Sequence, residues 1–239
     1  MPPARGPVHG TVSGAGDRVA EHGDAGSAGR QARLAVLLTG MAAWVDAAGF
    51  LLAGNAFVSF MSGNNTEIAS SVAQGAWPGV LLVGSVVGAF LAGVVLGECL
   101  GRPAGGWRQP WVYLADTLLL CLALAGHLAG WPAGVLLPLL AGAMGVHNAS
   151  LHPQRGAAVR TYITGTIVQF GRGLALFLMG RGGAAEMREN GTVWAGFVCG
   201  AVAGGLVALH VGVAAALLVP ALFTAGMGIA SAAWPRQSG

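Results

Sequence analysis

Apolar residues dominate the chain between positions 34 and 233, where they form long runs separated by short polar connections. Six of these runs approach the roughly 20 residues that a helix needs to cross about 30 Å of hydrocarbon. They cover residues 34–53, 79–100, 111–130, 133–151, 192–209 and 211–233. The pattern predicts an all-α membrane protein with six transmembrane helices.

Two further segments, 55–75 and 161–180, are long enough to be helices but carry polar residues in mid-run. If both crossed the membrane, the chain would have eight spans, and the arginine-bearing connections after the second and fourth runs would move to the outer side. That placement contradicts the preference of arginine for cytoplasmic loops. We therefore expect two re-entrant or broken helical segments inside the bundle, because polar backbone at membrane depth needs protein or water around it.

The composition supports a lipid environment and excludes several functions. Hydrophobic residues make up 54% of the chain and charged residues 9%, and the mean hydropathy is +0.67, whereas a soluble domain is about one quarter charged. Positive charge comes from arginine alone, mostly in the N-terminal tail and the connections, so we expect no nucleic-acid partner. The three cysteines lie in apolar runs without the spacing of a disulfide or a metal site, and we expect no metal and no cofactor.

The arginines also predict the topology and the limits of the membrane domain. Residues 1–32 are rich in Gly, Ala and Pro and predict a disordered cytoplasmic tail, and residues 234–239 predict a short C-terminal tail. Arginines before the first span and after the second and fourth spans assign those connections to the cytoplasm. Six spans then leave both termini on the cytoplasmic side.

The membrane domain divides into two similar halves, residues 33–131 and 132–233. At an offset of 102 residues, the matched polar pairs are Asp46 with Asn148, Ser59 with Thr161, Ser62 with Thr164 and Glu67 with Gln169. Farther along the chain, the offset that aligns small residues on helix faces becomes 112. Three spans per half is an odd number, so the second copy would enter the membrane upside down, which is the inverted symmetry of many secondary transporters.

Asp46 stands near the middle of the first run, where an acidic side chain costs about 2.5–3.5 kcal/mol to insert. One interpretation is a proton or cation site, or a ligand for a polar substrate; the other is a structural hydrogen bond to a neighbouring helix. Asp116 and His147 also lie within apolar runs. For His147, a hydrogen-bonded core histidine and a proton relay both fit.

Two polar stretches are candidates for the halves of one binding site. The first, from Ser59 to Glu67, concentrates hydroxyl, amide and carboxylate groups around a glycine that can open a helix. The second, from Thr161 to Arg172, adds a mid-segment cation that can pair with an acid or bind an anion. The alternative is that both stretches are structural turns. The candidate substrate or ion ligands are Asp46, Ser62, Gly63, Asn64, Glu67, Asn148, Thr164, Gly165 and Arg172.

At these residues the chain resembles the YoaK family, bacterial multi-pass membrane proteins of unknown function. The family pattern of a glycine and Asp-Ala in the first span, then Thr/Ser-Gly-Asn, is matched by Gly40, Asp46-Ala47 and Ser62-Gly63-Asn64. In the second half, Gly-x-x-Asn-Ala and Thr-Gly-Thr are matched by Gly145, Asn148-Ala149 and Thr164-Gly165-Thr166. The resemblance covers about residues 33–233, with Ser62 in place of the expected threonine. It implies the bacterial inner membrane, a cell membrane, and it implies no substrate.

The leading functional hypothesis is a small secondary transporter or permease for a small molecule or ion, with a polar site at the midplane. The alternative is a non-transporting membrane scaffold or assembly protein. Besides membrane lipid, a second copy of the chain is a candidate partner through glycine-rich helix faces such as Gly93, Gly97 and Gly101. An enzyme is not expected, and no catalytic residue is assigned, because no Ser/His pair, His-Glu-x-x-His motif or paired acids occur at useful spacing.

Overall fold

The computed structural model describes residues 16–54, 56–101, 108–150 and 163–233. Within these ranges the chain forms eight α-helices. They are α1 (Gly16–Ala53), α2 (Met61–Ala73), α3 (Trp77–Gly101), α4 (Arg108–Leu128), α5 (Ala133–Ser150), α6 (Ile163–Leu178), α7 (Ala184–His210) and α8 (Val213–Ala233). By its contacts the chain divides into Met1–Leu34 and Ala35–Gly239, and the packing described below lies within the second unit.

Six of the described helices are long and apolar enough to cross a membrane, which confirms the predicted number of spans. The spanning segments are Arg33–Leu52, Trp77–Gly101, Gln109–Leu128, Ala133–Ser150, Ala184–His210 and Val213–Ala233. The fifth begins at Ala184, eight residues before the apolar run at 192–209. Residues 184–191 are polar but include Ala, Glu, Met and Arg, which favour helix, and hydropathy alone does not detect such a turn.

Within the described residues, the two polar segments form helices that are too short to be spans. With 13 and 16 residues, α2 and α6 measure about 20 and 24 Å, less than the roughly 30 Å of hydrocarbon. Each forms a hairpin with the next helix: Gly79 of α3 faces the Ser71 side chain of α2, and Gly173 of α6 lies against the backbone at Met187 of α7. This confirms the predicted pair of additional, non-spanning helical segments.

Glycines allow the closest helix contacts. On the interface of α3 and α5, a methyl group added to Gly93 would overlap the carbonyl of Gly142. On the interface of α1 and α7, a methyl group added to Gly200 would overlap the carbonyl of Gly40. Small residues permit such approach in membrane bundles. Helix α5 lies at the centre, and every residue from Leu140 to His147 is buried.

The tails and the halves proposed from the sequence remain predictions. Residues 1–15 and 234–239 lie outside the described residues, and residues 16–32 belong to the first turns of α1. The glycine face offered for a partner is occupied within the chain, because Gly93 and Gly97 are buried against α5.

Candidate functional site

Asp46 fastens the connection between α1 and α2. Its side chain is buried, and Oδ1 accepts hydrogen bonds of 2.7 Å from the backbone N–H groups of both Val58 and Ser59. The Ser59 hydroxyl donates to Oδ2. Asp46 lies seven residues before the end of α1, about 10 Å along the axis. The connection therefore folds back along α1, and α2 begins at membrane depth.

Asn64 ties the same connection to α2 from the other side. Its Oδ1 accepts a 2.9 Å hydrogen bond from the Phe57 N–H, and its Nδ2 donates to the Phe57 carbonyl at 2.6 Å. The residue is buried and occupies both backbone groups of Phe57. Asn64 is therefore a positioning residue for the connection, and in this structure its amide is already engaged.

Aromatic rings cover this connection and explain the glycine beside Asn64. The Phe57 ring stacks on Phe50 at 5.1 Å between centroids and meets Phe60 edge-on at 5.4 Å. A methyl group on Gly63 would lie 2.6 Å from a Phe60 ring carbon. Gly63 therefore provides space for the rings, and the structure keeps it inside α2 instead of opening the helix there.

The remaining candidates on α2 lie on its exposed face. Ser62 and Glu67 are exposed, together with their neighbours Asn65, Thr66 and Ser70. The Ser71 hydroxyl donates to Glu67 Oε1 at 3.3 Å. Asn64 and Ser71 are buried on one face of α2. The exposed face of the helix is broadly polar, with the Glu67 carboxylate at its centre.

Helix α6 presents a similar surface that carries positive charge. Thr164, Gly165, Gln169 and Arg172 are exposed. The described hydrogen bonds of Asp46 are to Val58 and Ser59. The segment 151–162, which contains the predicted Thr161, lies outside the described residues.

Asn148, the predicted counterpart of Asp46, bonds within its own helix. Its Nδ2 donates to the Met144 carbonyl at 2.8 Å, and the residue is half-buried. Among the described residues it makes no hydrogen bond to Asp46. The structure thus unites Asp46 with Ser59 and Asn64 with Phe57. That Asn148 and the α6 residues share a site with this group stays a prediction.

A second polar cluster joins α4, α5 and α1. His147 Nδ1 lies 2.8 Å from Asp116 Oδ2, and both side chains are fully buried. His147 Nε2 lies 3.4 Å from the carbonyl oxygen of Leu38 on α1. The other carboxylate oxygen, Asp116 Oδ1, is buried without a hydrogen-bond partner in the described part of the chain.

Polar groups continue from this pair toward the start of α4 and the end of α5. The Ser150 hydroxyl donates to the His147 carbonyl at 2.6 Å, and the Ser150 carbonyl accepts a 3.2 Å hydrogen bond from Gln109 Nε2. On the other side of α4, the hydroxyls of Thr117 and Thr224 are 2.9 Å apart and join α4 to α8. No group of three or more His, Cys, Asp or Glu residues that could hold a metal ion occurs in the described ranges.

Comparison with known proteins assigns the chain to a family. The family model described as "Protein of unknown function (DUF1275)" matches residues 34–230. The chain belongs to the DUF1275 family. It is also similar to a UPF0700 transmembrane protein of Rhizobium meliloti (strain 1021), with 34% identity over 209 residues, covering 85% of this chain and 87% of the relative. No solved structure gives a significant match. These matches confirm the resemblance to an uncharacterised membrane family. They also confirm that the chain is a multi-pass membrane protein.

The DUF1275 match spans both polar clusters, but the sequence identified only the first as a site. Asp116 and His147 were recognised separately as ionisable residues in apolar runs, and their pairing was not predicted. A signal existed, because ionisable groups at membrane depth commonly pair with one another. It did not select partners, since the two residues lie 31 positions apart on different helices.

Proposed function

We propose that the protein is a small secondary transporter or permease, with a path for a small molecule or ion along the polar faces of α2 and α6. The observation that carries this proposal is the exposure of Glu67 and Arg172 on two short helices that do not span the membrane. Charged side chains at membrane depth almost always face a bundle interior or a water-filled cavity.

The depth of α2 strengthens this argument. Because Asp46 binds the connection about 10 Å from the end of α1, the first turn of α2 lies inside the membrane domain. Lipid around the exposed amide, hydroxyl and carboxylate groups of α2 would leave them unsolvated at a cost of several kcal/mol. A hydrated path accounts for this surface without that cost.

The order of the helices in the two halves supports a structural relation between α2 and α6. Both halves follow the order span, short helix, span, span. The buried polar positions of α2, Asn64 and Ser71, correspond at an offset of 102 residues to the buried positions of α6, Thr166 and Gly173. We infer that α2 and α6 are equivalent elements of an internal repeat.

The helix contacts support the same relation. Gly40 of α1 packs on Gly200 of α7, and its counterpart Gly142 of α5 packs on Gly93 of α3. Each half thus packs its first helix on the third helix of the other half. Gly93 and Gly200 are 107 residues apart, so the packing favours this offset over the 112 taken from glycine spacing. With three spans per half, such a repeat is inverted, as in many secondary transporters.

Orientation and cellular location belong to this proposal. Following the arginine pattern, both termini face the cytoplasm and the chain lies in the bacterial inner membrane. The non-enzymatic assignment also rests on the sequence. The scaffold alternative loses one argument, because the glycine face offered to a partner is used within the chain.

Flux measurements in proteoliposomes test the transport proposal. We expect uptake above protein-free liposomes for at least one member of a broad panel of metabolites and ions. Glu67→Gln or Arg172→Gln should reduce that uptake at least about tenfold, corresponding to about 1.4 kcal/mol. Arg188→Gln, which removes an exposed charge near the start of α7, is the matched control and should leave it unchanged. Background flux for the folded wild-type protein across the panel, together with a stoichiometric co-purifying protein, would favour the scaffold.

A further inference from the structure

The buried Asp116–His147 pair connects three helices through one imidazole ring. Nδ1 faces the Asp116 carboxylate of α4, and Nε2 faces the Leu38 carbonyl of α1, while His147 itself belongs to α5. A backbone carbonyl can only accept hydrogen bonds. Therefore Nε2 must carry a proton for the ring to bond α1.

Counting protons separates the states of the pair. With two protons, the pair is either a carboxylate with an imidazolium or a carboxylic acid with a neutral ring. In both forms Nε2 donates to Leu38, a hydrogen joins Nδ1 to Asp116, and the net charge is zero. With one proton placed on Nδ1, the Nε2 lone pair faces the carbonyl oxygen and the buried cluster carries a net negative charge. The geometry therefore matches the two-proton form and disfavours the one-proton form.

We propose that Asp116 and His147 form a proton-binding site within the membrane domain, and that the bound proton fastens α1 to α4 and α5. From the carboxylate–imidazolium form, release transfers the Nε2 proton to water and leaves a neutral ring whose Nδ1–H donates to the carboxylate; from the carboxylic acid form, the carboxyl proton also moves to Nδ1. Loss of the Nε2 donor ends the hydrogen bond to Leu38. The site is separate from the polar faces of α2 and α6, and it does not depend on the transport proposal.

The second carboxylate oxygen of Asp116 independently supports a proton-binding site. Buried polar atoms in native proteins nearly always have partners, and exceptions commonly mark reactive groups or water sites. Oδ1 is buried and has no partner among the described residues. An acceptor beside the ion pair can hold a water molecule or the proton itself.

Few other ionisable groups can account for a pH response of this cluster. Of the helices packed against the pair, α3 carries Glu98, which has its own interaction. Helix α1 carries the exposed Arg33 five residues before Leu38 and the buried Asp46 eight residues after it, whose carboxylate accepts hydrogen bonds from Val58 and Ser59. Tyr113 of α4 lies about one turn before Asp116, and its side chain is buried. The described segment of α8 contains no titratable side chain.

Nitrogen-15 spectroscopy of histidine in lipid nanodiscs tests the site directly, because the chemical shifts of the ring nitrogens report their protonation. The His147 signals are assigned by their loss in His147→Gln. Across a series from about pH 5 to pH 9, we expect Nε2 to be protonated at the acidic end and unprotonated at the alkaline end. Nε2 protonated throughout would make the pair a permanent structural bond and overturn the proposal, as would Nε2 unprotonated throughout.

Asp116→Asn provides the second arm of the test. The amide has nearly the same size but cannot balance an imidazolium, so we expect the ring-nitrogen chemical shifts of His147 to differ from those of the wild type at the same acidic pH. His210→Gln removes an exposed histidine at the end of α7 and should leave the His147 signals unchanged. An unaltered His147 titration in folded Asp116→Asn would show that the two residues do not share a proton.

Discussion

Replacing Asp46 by alanine should destabilise the protein by removing the anchor of the connection between α1 and α2. The substitution eliminates the acceptor for three donors: the N–H groups of Val58 and Ser59 and the Ser59 hydroxyl. At the membrane average of about 0.6 kcal/mol per hydrogen bond, the loss is about 2 kcal/mol. Of the three donors, only the Val58 N–H is fully buried, and leaving it without a partner costs about 1–3 kcal/mol more, so we expect a total of about 3–5 kcal/mol.

Asn148→Ala is the matched control, because the sequence repeat pairs this residue with Asp46. Its single hydrogen bond returns to a carbonyl of its own helix, and we expect a loss of at most about 1 kcal/mol. Asp46→Asn keeps one oxygen for the two N–H groups and should fall between wild type and Asp46→Ala. Equilibrium unfolding in mixed micelles measures the free energy of unfolding for all four proteins.

A local measurement separates the anchor from general stability. Hydrogen exchange of the peptide covering residues 56–60 should accelerate in Asp46→Ala under conditions where the wild-type fold persists, because opening of this connection requires less free energy. The exchange of α5 should change little. Equal losses of stability in Asp46→Ala and Asn148→Ala, with unaltered exchange of the connection, would refute the assignment of Asp46 as its anchor.

Three further predictions follow from helix packing and topology. Gly93→Ala should destabilise the fold by about 1–3 kcal/mol through overpacking against α5, measured in the same unfolding assay. Gly88 has open space around it, so Gly88→Ala should be neutral or stabilising by up to about 1 kcal/mol. In a cysteine-free background, an impermeant reagent applied outside should label Ala76→Cys and spare Ala185→Cys, since three spans separate the two hairpins; labelling of both would mean that α6 crosses. Thr117→Val should cost about 1 kcal/mol by removing the hydroxyl contact between α4 and α8, and an unchanged unfolding curve would show that this contact contributes nothing.

The spans were predictable because the thickness of the bilayer fixes the length of an apolar run. The short helices were also predictable, since polar residues interrupted both segments and full crossing contradicted the arginine pattern. The start of α7 was not, because residues 184–191 combine helix-forming residues with polarity. A hydropathy scale measures the preference of a side chain for water or lipid, and it does not measure helix propensity.

The partners of the buried groups were less predictable than their depth. Two of the three donors to Asp46 are backbone N–H groups, which every non-proline residue carries and which leave no mark in a sequence. Glycine spacing is ambiguous for a related reason. Because the chain contains 41 glycines, small-residue patterns match at several offsets, so the internal repeat and its offset stay predictions.

The contrast between the two buried acids changes which one is the better candidate for chemistry. From the sequence, Asp46 was the better candidate for chemistry, because the free energy of inserting a carboxylate in mid-span must be offset by other interactions. In the structure that compensation is complete enough to serve as an anchor, with both carboxylate oxygens engaged by a neighbouring connection. Asp116 has one oxygen engaged by a titratable ring and one without a described partner. Proton exchange needs a group that can change partners at little cost, so proton-dependent behaviour of this membrane domain should respond first to substitutions at Asp116 and His147.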